Sequence, residues 1–314
     1  MTAIGLASGA PDQARCSDPP GRARLPDASG VAVAPDGVRL AWDTYGSGDP
    51  TIVLLPSAPI VHSRQWKGQV PYLARHFRVV TFDGRGNGLS DRPADVDAYR
   101  VERIVGDLRR VLDATGTDRA ILVGLCGDGV WPSVLLAATD PERVRGIVAF
   151  AVGVPYLSPP HPWRVQFSFD DDLPAYEGWA KVNRHAWRRD YPDFARFFFS
   201  AITTEPHSTK VIDDAVEWAC EGSVDAMLAD AGAGGSFDLA SVEATVAAVR
   251  SPMLLVHGTE DHCQPLSRAR VLADLAGAPL VIVDGADHMI PARHPVLANL
   301  LIRDFVHSLE GDDR

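Results

Sequence analysis

One short turn constrains the fold of this chain more than any other feature of the sequence. The segment VGLCGDG, residues 123–129, follows an apolar run that begins at Ala120 and opens a second apolar segment that continues to Thr139. An apolar strand that passes through small residues and one nucleophile into a helix is typical of a nucleophile elbow, a tight turn that exposes the nucleophile. Serine is usual at the central position, which here is Cys126. The turn therefore predicts a buried strand, a helix and a reactive thiol between them.

Charge and hydropathy exclude two classes of partner. The chain has 30 Lys and Arg residues against 41 Asp and Glu residues, which gives a net charge of −11. Without a basic field to hold phosphate groups, nucleic-acid binding is disfavoured. No stretch reaches the roughly 20 apolar residues of a membrane-spanning helix, so we expect no membrane partner. The sequence carries no signal of the oligomeric state.

The first 30 residues are expected to form a disordered tail. They are rich in Gly, Pro, Asp and Arg and lack the apolar segment of a signal peptide, so we expect a cytoplasmic protein. Four cysteines, Cys16, Cys126, Cys220 and Cys263, are irregularly spaced along the chain. This spacing fits neither a disulfide framework nor a zinc site. We interpret them as separate thiols, of which one is a candidate for reactivity.

The remaining sequence predicts one α/β core with an insertion. Short apolar runs, such as residues 51–55, 78–82 and 120–123, alternate with helical stretches, which is typical of a doubly wound, mostly parallel sheet covered on both faces. From about residue 155 to residue 249 this alternation stops. The sequence therefore predicts a core from residues 31–154 and 250–314 and a helical cap insertion from residues 155–249.

Aromatic residues are concentrated in the predicted insertion. The chain has 24 aromatic residues, and 13 of them lie between Pro155 and Trp218. Such residues pack the interior of a small helical subdomain or line an apolar ligand pocket. For the pocket, the candidate residues are Trp163, Phe167 and Trp187 from the insertion and Leu125 from the elbow.

Five segments in order resemble the α/β-hydrolase superfamily: VVTFDGRGNGLSDRP, VGLCGDG, ATDPERV, VHGTEDHCQP and GADHMIPARHP. Each is weak alone, but their order and spacing resemble the family from about Val31 to the C-terminus. The resemblance implies a cysteine-nucleophile variant of the fold, with Cys126 as the nucleophile, Asp261 as the acid and His288 as the base. The IVHSRQW stretch and the GLC elbow are similar to an actinobacterial subgroup of hydrolases.

Several alternatives accompany this assignment. Glu260 neighbours the acid, and His262 and His294 compete with the base, although position in the motif favours the assigned residues. A shifted register would make Asp128 an ester-forming nucleophile, but Val130 would then stand at a position that requires a small residue. The run of residues 261–263, Asp-His-Cys, contains residue types that bind metals, but adjacent side chains on a short loop rarely converge, so we expect no metal and no cofactor.

Two departures from the family pattern concern the oxyanion hole and Asp128. One oxyanion donor is expected to be the N–H of Gly127, while the second usually comes from an HG loop that this chain lacks. Ser57 or Ala58 is the best candidate, with His62 as another residue that could reach the pocket. Asp128 replaces a small residue, and its charge is expected to keep Cys126 a thiol until the base takes the proton.

A cysteine nucleophile gives a thioester intermediate. We expect hydrolysis of an ester, lactone or thioester whose acyl group is medium-sized and largely apolar, free or linked to a carrier protein or CoA. Thioesters also react with amines and carbanions, so an acyltransferase or a Dieckmann-type cyclase of a natural-product pathway is an alternative. A ligand-binding or regulatory module that has lost turnover is a second alternative, supported by the altered oxyanion loop.

Overall fold

A computed structural model describes residues 24–57, 59–234 and 237–311 of the chain. Its centre is an eight-stranded sheet in the order β1-β2-β4-β3-β5-β6-β7-β8. The strands are β1 (Ala28–Val33), β2 (Arg39–Tyr45), β3 (Thr51–Leu54), β4 (Arg78–Phe82), β5 (Ala120–Leu125), β6 (Val144–Phe150), β7 (Met253–Gly258) and β8 (Leu280–Val283). β2 is antiparallel to both β1 and β4, and every other neighbouring pair is parallel. The prediction of a doubly wound, mostly parallel sheet is confirmed.

Helices cover both faces of this sheet. They are α1 (Val70–Leu73), α2 (Val101–Ala114), α3 (Cys126–Thr139), α4 (Arg184–Arg189), α5 (Tyr191–Ile202), α6 (Lys210–Cys220), α7 (Val224–Ala233), α8 (Leu239–Ala248), α9 (Leu266–Ala276), α10 (Ile290–Arg293) and α11 (Pro295–Gly311). One face packs against α1 and α11, and the opposite face packs against α2, α3, α8 and α9. Short 3-10 helices occur in the connections.

The central strand β5 shows why the sheet is buried on both faces. Its six residues are all buried, and side chains alternate between the two sides of a strand. Ile121 and Val123 pack in the apolar cluster beneath α1 and α11, whereas Ala120 and Leu122 pack in the cluster with α2 and α3. A strand buried on both faces needs a continuous apolar run, as this segment has.

The first strand begins at Ala28, inside the segment that the sequence analysis assigned to a tail of 30 residues. Ser29 donates a hydrogen bond to Asp43 Oδ1 at 2.5 Å, and Gly30 lies directly beneath the indole of Trp42. A Cβ at Gly30 would meet that ring at 2.3 Å, so the lack of a side chain permits the pairing with β2. Residues 1–23 of the predicted tail lie outside the described residues.

The far end of the predicted insertion belongs to the core. Val242 and Val246 of α8 are buried in the same apolar cluster as α3 and α9, so α8 is one of the helices covering the sheet. The parts of the insertion that lie beside the nucleophile are the loop after residue 155 and α5, which bring Arg164, Phe198 and Ile202 to the cavity at Cys126. The predicted boundary at residue 249 therefore includes one core helix.

A buried ion-pair network ties the loop after β4 to α2. Arg85 is 1% exposed and donates to both carboxylate oxygens of Asp107 at 2.6 Å. It also donates to Asp36 Oδ2 at 2.9 Å and to the carbonyl oxygen of Ala98 at 2.6 Å. These contacts fix the loop at the carboxyl end of β4.

Across the described residues, no helix combines the length and the apolar character that crossing a bilayer requires.

Candidate active site

Cys126 lies at the turn from β5 into α3 with a positive φ of 60°. Non-glycine residues rarely adopt this conformation, and it persists where surrounding structure holds it. The strand and helix cross closely here, because a Cβ on Gly124 would lie 2.4 Å from the carbonyl carbon of Gly129. The two glycines permit that approach, so Asp128 need not be small. The sulfur of Cys126 faces a cavity at the carboxyl end of β5.

Asp261 and His288 meet beside this cysteine. Asp261 follows β7, His288 follows β8, and both side chains are buried. The Nδ1 atom of His288 lies 2.9 and 3.0 Å from the two carboxylate oxygens of Asp261. A ring nitrogen of His288, the sulfur of Cys126 and the sulfur of Cys263 lie within 4.8 Å of one another. Since Asp261 occupies Nδ1, Nε2 is the nitrogen available to take a proton from the nucleophile.

The carboxylate of Asp261 is itself held in place. Its Oδ1 accepts hydrogen bonds from the backbone N–H groups of Cys263 and Gln264, each at 2.8 Å. His257, which sequence reasoning missed, lies behind it with Nε2 3.4 Å from Oδ2. The Nδ1 of His257 accepts the N–H of Val152 at 3.1 Å, so its proton is on Nε2, which donates to the carbonyl oxygen of Gln264 at 3.0 Å. These contacts orient the acid toward the base.

The surroundings shift the pKa values of Cys126 and His288 upward and that of Asp261 downward. A hydrogen bond with Cys263 and burial raise the pKa of the Cys126 thiol well above its usual value. Burial opposes protonation of His288, but the charge of Asp261 outweighs it and raises the pKa of the imidazole. Burial raises the pKa of Asp261, but contacts with His288 outweigh it and the net shift is downward. The expected resting thiol at Cys126 thus agrees in direction, although Cys263 and burial, rather than Asp128, are its main causes.

The cavity beside Cys126 has a volume of about 210 Å³ and largely apolar walls. Leu125 lines it, as predicted, together with Val61 from the loop after β3 and Met289 beside the base. Phe198 and Phe199 of α5 close the side toward the insertion. They belong to the aromatic-rich segment, but composition alone does not distinguish them from the other aromatic residues of that segment.

The three predicted aromatic residues of the insertion do not line this cavity. Trp163 turns toward the loop after β7, where its Nε1 donates to the carbonyl oxygen of His262 at 3.2 Å. Phe167 is 37% exposed. Trp187 is buried inside the insertion, with its ring 4.7 Å from that of Phe194. The predicted pocket residues are corrected here because packing within the insertion, rather than composition, decides which rings reach the nucleophile.

Two of the three predicted oxyanion donors lie at the cavity. Gly127 is the second residue of α3, and N–H groups in a first helical turn have no acceptor within the helix. Gly153 lies against it, and a Cβ there would come within 2.2 Å of the Gly127 nitrogen. Ser57 is buried and lines the same cavity, with its hydroxyl 3.5 Å from the carbonyl oxygen of Leu125. Ala58 lies outside the described residues.

Sequence analysis did not place three further side chains at this cavity, those of Arg164, Cys263 and Gln264. Arg164, from a 3-10 helix of the insertion, donates from Nη1 to the sulfur of Cys263 at 2.7 Å. Gln264 Nε2 lies 3.4 Å from the sulfur of Cys126, and Arg268 donates to its Oε1 at 2.5 Å, which fixes the amide orientation. Cys263 was interpreted as a separate thiol, but its sulfur faces Cys126. Residue order alone offers no signal for contacts between the insertion and the loop after β7.

A second cavity adjoins the first through Gly127 and Asp128. Its volume is about 240 Å³, and Asp230 of α7 and Trp131 of α3 also line it. Asp128 is solvent-accessible through these cavities, yet burial raises its pKa to about 6. Burial and the neighbouring charge of Asp128 raise the pKa of Asp230. The nucleophile thus lies between an apolar cavity and a more acidic one.

The competing residues lie in other environments. Glu260 is exposed, and His294 contacts Glu205 through Nε2 at 2.7 Å. The Nδ1 of His262 lies 3.2 Å from the carbonyl oxygen of Ala201. Among the described residues that line the cavity beside Cys126, none of these three is present.

His62, which was predicted as a residue that could reach the pocket, is buried away from it. Its Nε2 lies 3.2 Å from Glu221 Oε2, and its Nδ1 lies 3.9 Å from Asp83 Oδ1. Burial lowers the pKa of this imidazole. His62 therefore connects the core to α6 and its following turn and does not line the cavity at Cys126.

The two sulfurs and the imidazole also form a set of donor atoms that could hold a soft metal ion. The guanidinium of Arg164 opposes this use, because its positive charge lies 2.7 Å from the sulfur of Cys263. The side chains of residues 261 and 262 face different partners, since the carboxylate of Asp261 faces His288 and the ring of His262 faces Ala201.

Comparison with known proteins places this geometry in a family. The family model for the alpha/beta hydrolase fold matches residues 50–295, which include Cys126, Asp261 and His288. The chain belongs to the alpha/beta hydrolase fold family. The strand order and the positions of the elbow after β5, the acid after β7 and the base after β8 agree with the resemblance found in the sequence.

Individual alpha/beta hydrolases resemble the chain over most of its length. The 2-hydroxymuconate semialdehyde hydrolase of Pseudomonas sp. (strain CF600) is 29% identical over 86% of this chain and 91% of its own. The crystal structure of bromoperoxidase from Bacillus anthracis gives a TM-score of 0.74 at 21% identity, covering 89% of this chain and all of the other. Esterase RhEst1 from Rhodococcus sp. ECU1013 gives 0.73 at 21% identity, covering 90% and 99%. At these identities the structural likenesses show the fold alone.

Proposed function

We propose that this chain is a hydrolase that forms an acyl-enzyme on Cys126 from an ester, lactone or thioester. The observation that carries the proposal is the meeting of three groups from three strand ends: a cysteine at a strained elbow, an imidazole and a buried carboxylate. Ligand binding alone does not require this arrangement. The hydrolase names of the relatives, among them a semialdehyde hydrolase and an esterase, are consistent with it.

The reaction follows from the positions of these groups. The sulfur of Cys126 attacks the carbonyl carbon while its proton passes to Nε2 of His288, and Asp261 stabilises the resulting imidazolium. The N–H of Gly127 and the backbone or hydroxyl of Ser57 hold the oxyanion. Collapse expels the alcohol or thiol, which takes the proton from His288. Water, deprotonated by His288, then hydrolyses the thioester and restores the thiol.

The cavity volume limits the acyl group. If each heavy atom takes the ~30 Å³ that a water molecule occupies in the liquid, about 210 Å³ admits roughly seven heavy atoms. Apolar walls favour a short aliphatic or a single-ring aromatic acyl chain, with about 0.8 kcal/mol gained for each buried methylene. The adjoining cavity at Gly127 and Asp128 is the candidate site for the departing alcohol or thiol.

Turnover of a substrate panel by matched variants tests the proposal. The panel contains p-nitrophenyl esters, γ-lactones and acyl thioesters from acetyl to dodecanoyl. We expect Cys126→Ala to lose turnover of every substrate that the parent protein hydrolyses. Cys220→Ala, which removes an exposed thiol outside the cavity, should retain it. Unchanged turnover in Cys126→Ala would refute the acyl-enzyme. Ligand-induced thermal stabilisation without turnover by the parent protein would favour a binding module instead.

A further inference from the structure

Two cysteine sulfurs face one cavity from different parts of the chain. Cys126 comes from the elbow after β5 and Cys263 from the loop after β7, and both line the cavity of about 210 Å³. Their sulfurs lie within 4.8 Å of each other. A disulfide requires a sulfur–sulfur distance of about 2.05 Å, so the pair must close by less than about 3 Å. Side-chain rotation into the cavity can supply a movement of this size.

The surroundings of Cys263 favour its thiolate. Nη1 of Arg164 lies 2.7 Å from its sulfur, and Nη1 also donates to the Cys263 carbonyl oxygen at 3.2 Å. The amide of Gln264 spans the pair, with Nε2 3.4 Å from the sulfur of Cys126 and 3.9 Å from that of Cys263. The hydrogen bond from Cys126 and the charge of Arg164 lower the pKa of Cys263, against the effect of burial. Thiolates, rather than thiols, are the nucleophiles in cysteine oxidation.

We propose that Cys126 and Cys263 form an oxidation site at which a small hydroperoxide joins the two sulfurs in a disulfide. Cys263 is the thiolate that reacts first, because Arg164 stabilises its charge. Cys126 then resolves the oxidised sulfur. The proposal concerns a covalent modification of this cavity and does not depend on which acyl group the enzyme processes.

The chemistry balances with a hydroperoxide as the only added reactant. The Cys263 thiolate attacks the distal peroxide oxygen, the O–O bond breaks, and an alcohol or water leaves after taking a proton. The product is a sulfenic acid at Cys263. Cys126, deprotonated by His288, attacks that sulfur; the S–S bond forms and the sulfenic oxygen leaves as water. The two thiols have then lost two electrons and two protons, and one peroxide has been reduced to an alcohol or water and a second water.

The modification would stop acyl transfer reversibly. A disulfide occupies the sulfur of Cys126, so no thioester can form until a dithiol reduces the bond. Without Cys263, a sulfenic acid at Cys126 would have no thiol beside it in the described part of the cavity, and further peroxide would oxidise it to the irreversible sulfinic acid. Cys263 thus protects the nucleophile from over-oxidation.

Peptide mapping after peroxide treatment tests the proposal. The full chain is treated with hydrogen peroxide in the presence of EDTA, alkylated with iodoacetamide and digested with trypsin without reduction. Cleavage after Arg119 and Arg143 isolates Cys126 on residues 120–143, and cleavage after Arg250 and Arg268 isolates Cys263 on residues 251–268. We expect these two peptides to appear cross-linked, with the loss of two hydrogen atoms, and to separate after dithiothreitol.

Matched serine variants complete the test. Cys220→Ser is the control and should form the cross-link as the parent does, since Cys220 is exposed on α6. Cys263→Ser should form no cross-link and should accumulate sulfinic acid at Cys126. Arg164→Gln should slow cross-linking, because a smaller fraction of Cys263 is then thiolate. Circular dichroism confirms that each variant is folded.

Three results would overturn the proposal. They are sulfinic or sulfonic acid on the parent's residues 120–143 or 251–268 without a cross-link, a cross-link to Cys16 or Cys220, and no reaction at either cysteine. The readout is independent of substrate turnover. A parent protein that cross-links but hydrolyses nothing would therefore refute the acyl-enzyme function and leave the oxidation site intact.

Discussion

The contact between Asp261 and His288 gives the sharpest prediction for the proposed reaction. Asp261→Asn keeps the shape of the side chain, and its remaining oxygen can still accept the N–H groups of Cys263 and Gln264 at 2.8 Å. The substitution removes the charge that lies 2.9 Å from Nδ1 of His288. We therefore expect a folded protein in which the base is weaker and is no longer held with its proton on Nδ1.

The size of the effect has a lower and an upper bound. A hydrogen bond to a charged group contributes about 1.5–3 kcal/mol, and each ~1.4 kcal/mol changes a rate tenfold, so its loss alone lowers kcat about 10- to 150-fold. Loss of the correct imidazole tautomer lowers kcat by about 10⁴-fold in serine triads. We expect Asp261→Asn to fall between about 10²- and 10⁴-fold below the parent protein.

The dependence of rate on pH gives the sign of the shift. Asp261 raises the pKa of His288 above the ordinary 6.5, so the neutral base becomes available only at higher pH. The acidic limb of the parent's kcat/KM profile should therefore lie above pH 6.5, and Asp261→Asn should move that limb to lower pH. Release of p-nitrophenol across a pH series measures both quantities, with Glu260→Gln as an exposed neighbouring control.

Two results would refute this reasoning. One is a kcat for Asp261→Asn within tenfold of the parent value, with an unchanged pH profile. The other is an acidic limb below pH 6 in the parent protein, which would indicate a preformed thiolate–imidazolium pair at Cys126 and not a resting thiol.

Two further predictions concern the cavity and the fold. Phe198→Ala removes a wall of the acyl cavity, so the ester with the highest kcat/KM should have an acyl chain longer by two or more methylenes. Phe197→Ala lies outside that cavity and should leave the preferred chain length unchanged. Equal shifts in the two variants would contradict the assignment. Arg85→Met leaves Asp107 buried without its cation and should lower the free energy of unfolding in urea by about 3–5 kcal/mol. Adding Asp107→Leu should recover most of that loss, and a single-variant loss below about 1 kcal/mol would contradict it.

The core was predictable from the sequence because its signals are local. An apolar strand, a nucleophile and a helix follow one another around Cys126, and the acid and base follow strands that the apolar runs identify. Parallel strands bring their carboxyl ends to one edge of the sheet, so residues far apart in the chain meet there. The structure places Cys126, Asp261 and His288 together for this reason, while their catalytic roles remain predictions.

The walls of the cavity were not predictable, because they depend on how the insertion packs. Trp163 and Arg164 are neighbours on one short 3-10 helix, and both contact the loop after β7, yet only Arg164 lines the cavity at the sulfurs. Side chains of consecutive helical residues point in different directions, so composition could not tell which of the two would reach the site. The position of Cys263 could not be predicted either, because it depends on the path of the loop after β7. Asp261 fixes that path by accepting two backbone hydrogen bonds.

The elbow also shows where a family pattern misleads. Asp128 replaces a residue that is usually small, and its charge was expected to keep Cys126 a thiol. The close contact is between Gly124 and Gly129, so the carboxylate of Asp128 is free to face the adjoining cavities. The main cause of the raised pKa of Cys126 is its hydrogen bond with Cys263, a residue that only the tertiary structure brings close to it.

Intact-mass trapping of the acyl-enzyme tests the central claim most directly. The parent protein is mixed with p-nitrophenyl hexanoate or a hexanoyl thioester, quenched in acid within the first turnover, and digested at low pH. The account predicts one hexanoyl group, sensitive to hydroxylamine, on the peptide that contains Cys126 and no adduct in Cys126→Ala. An acyl group on Cys263 or Cys220, or turnover by Cys126→Ala without any adduct, would contradict it.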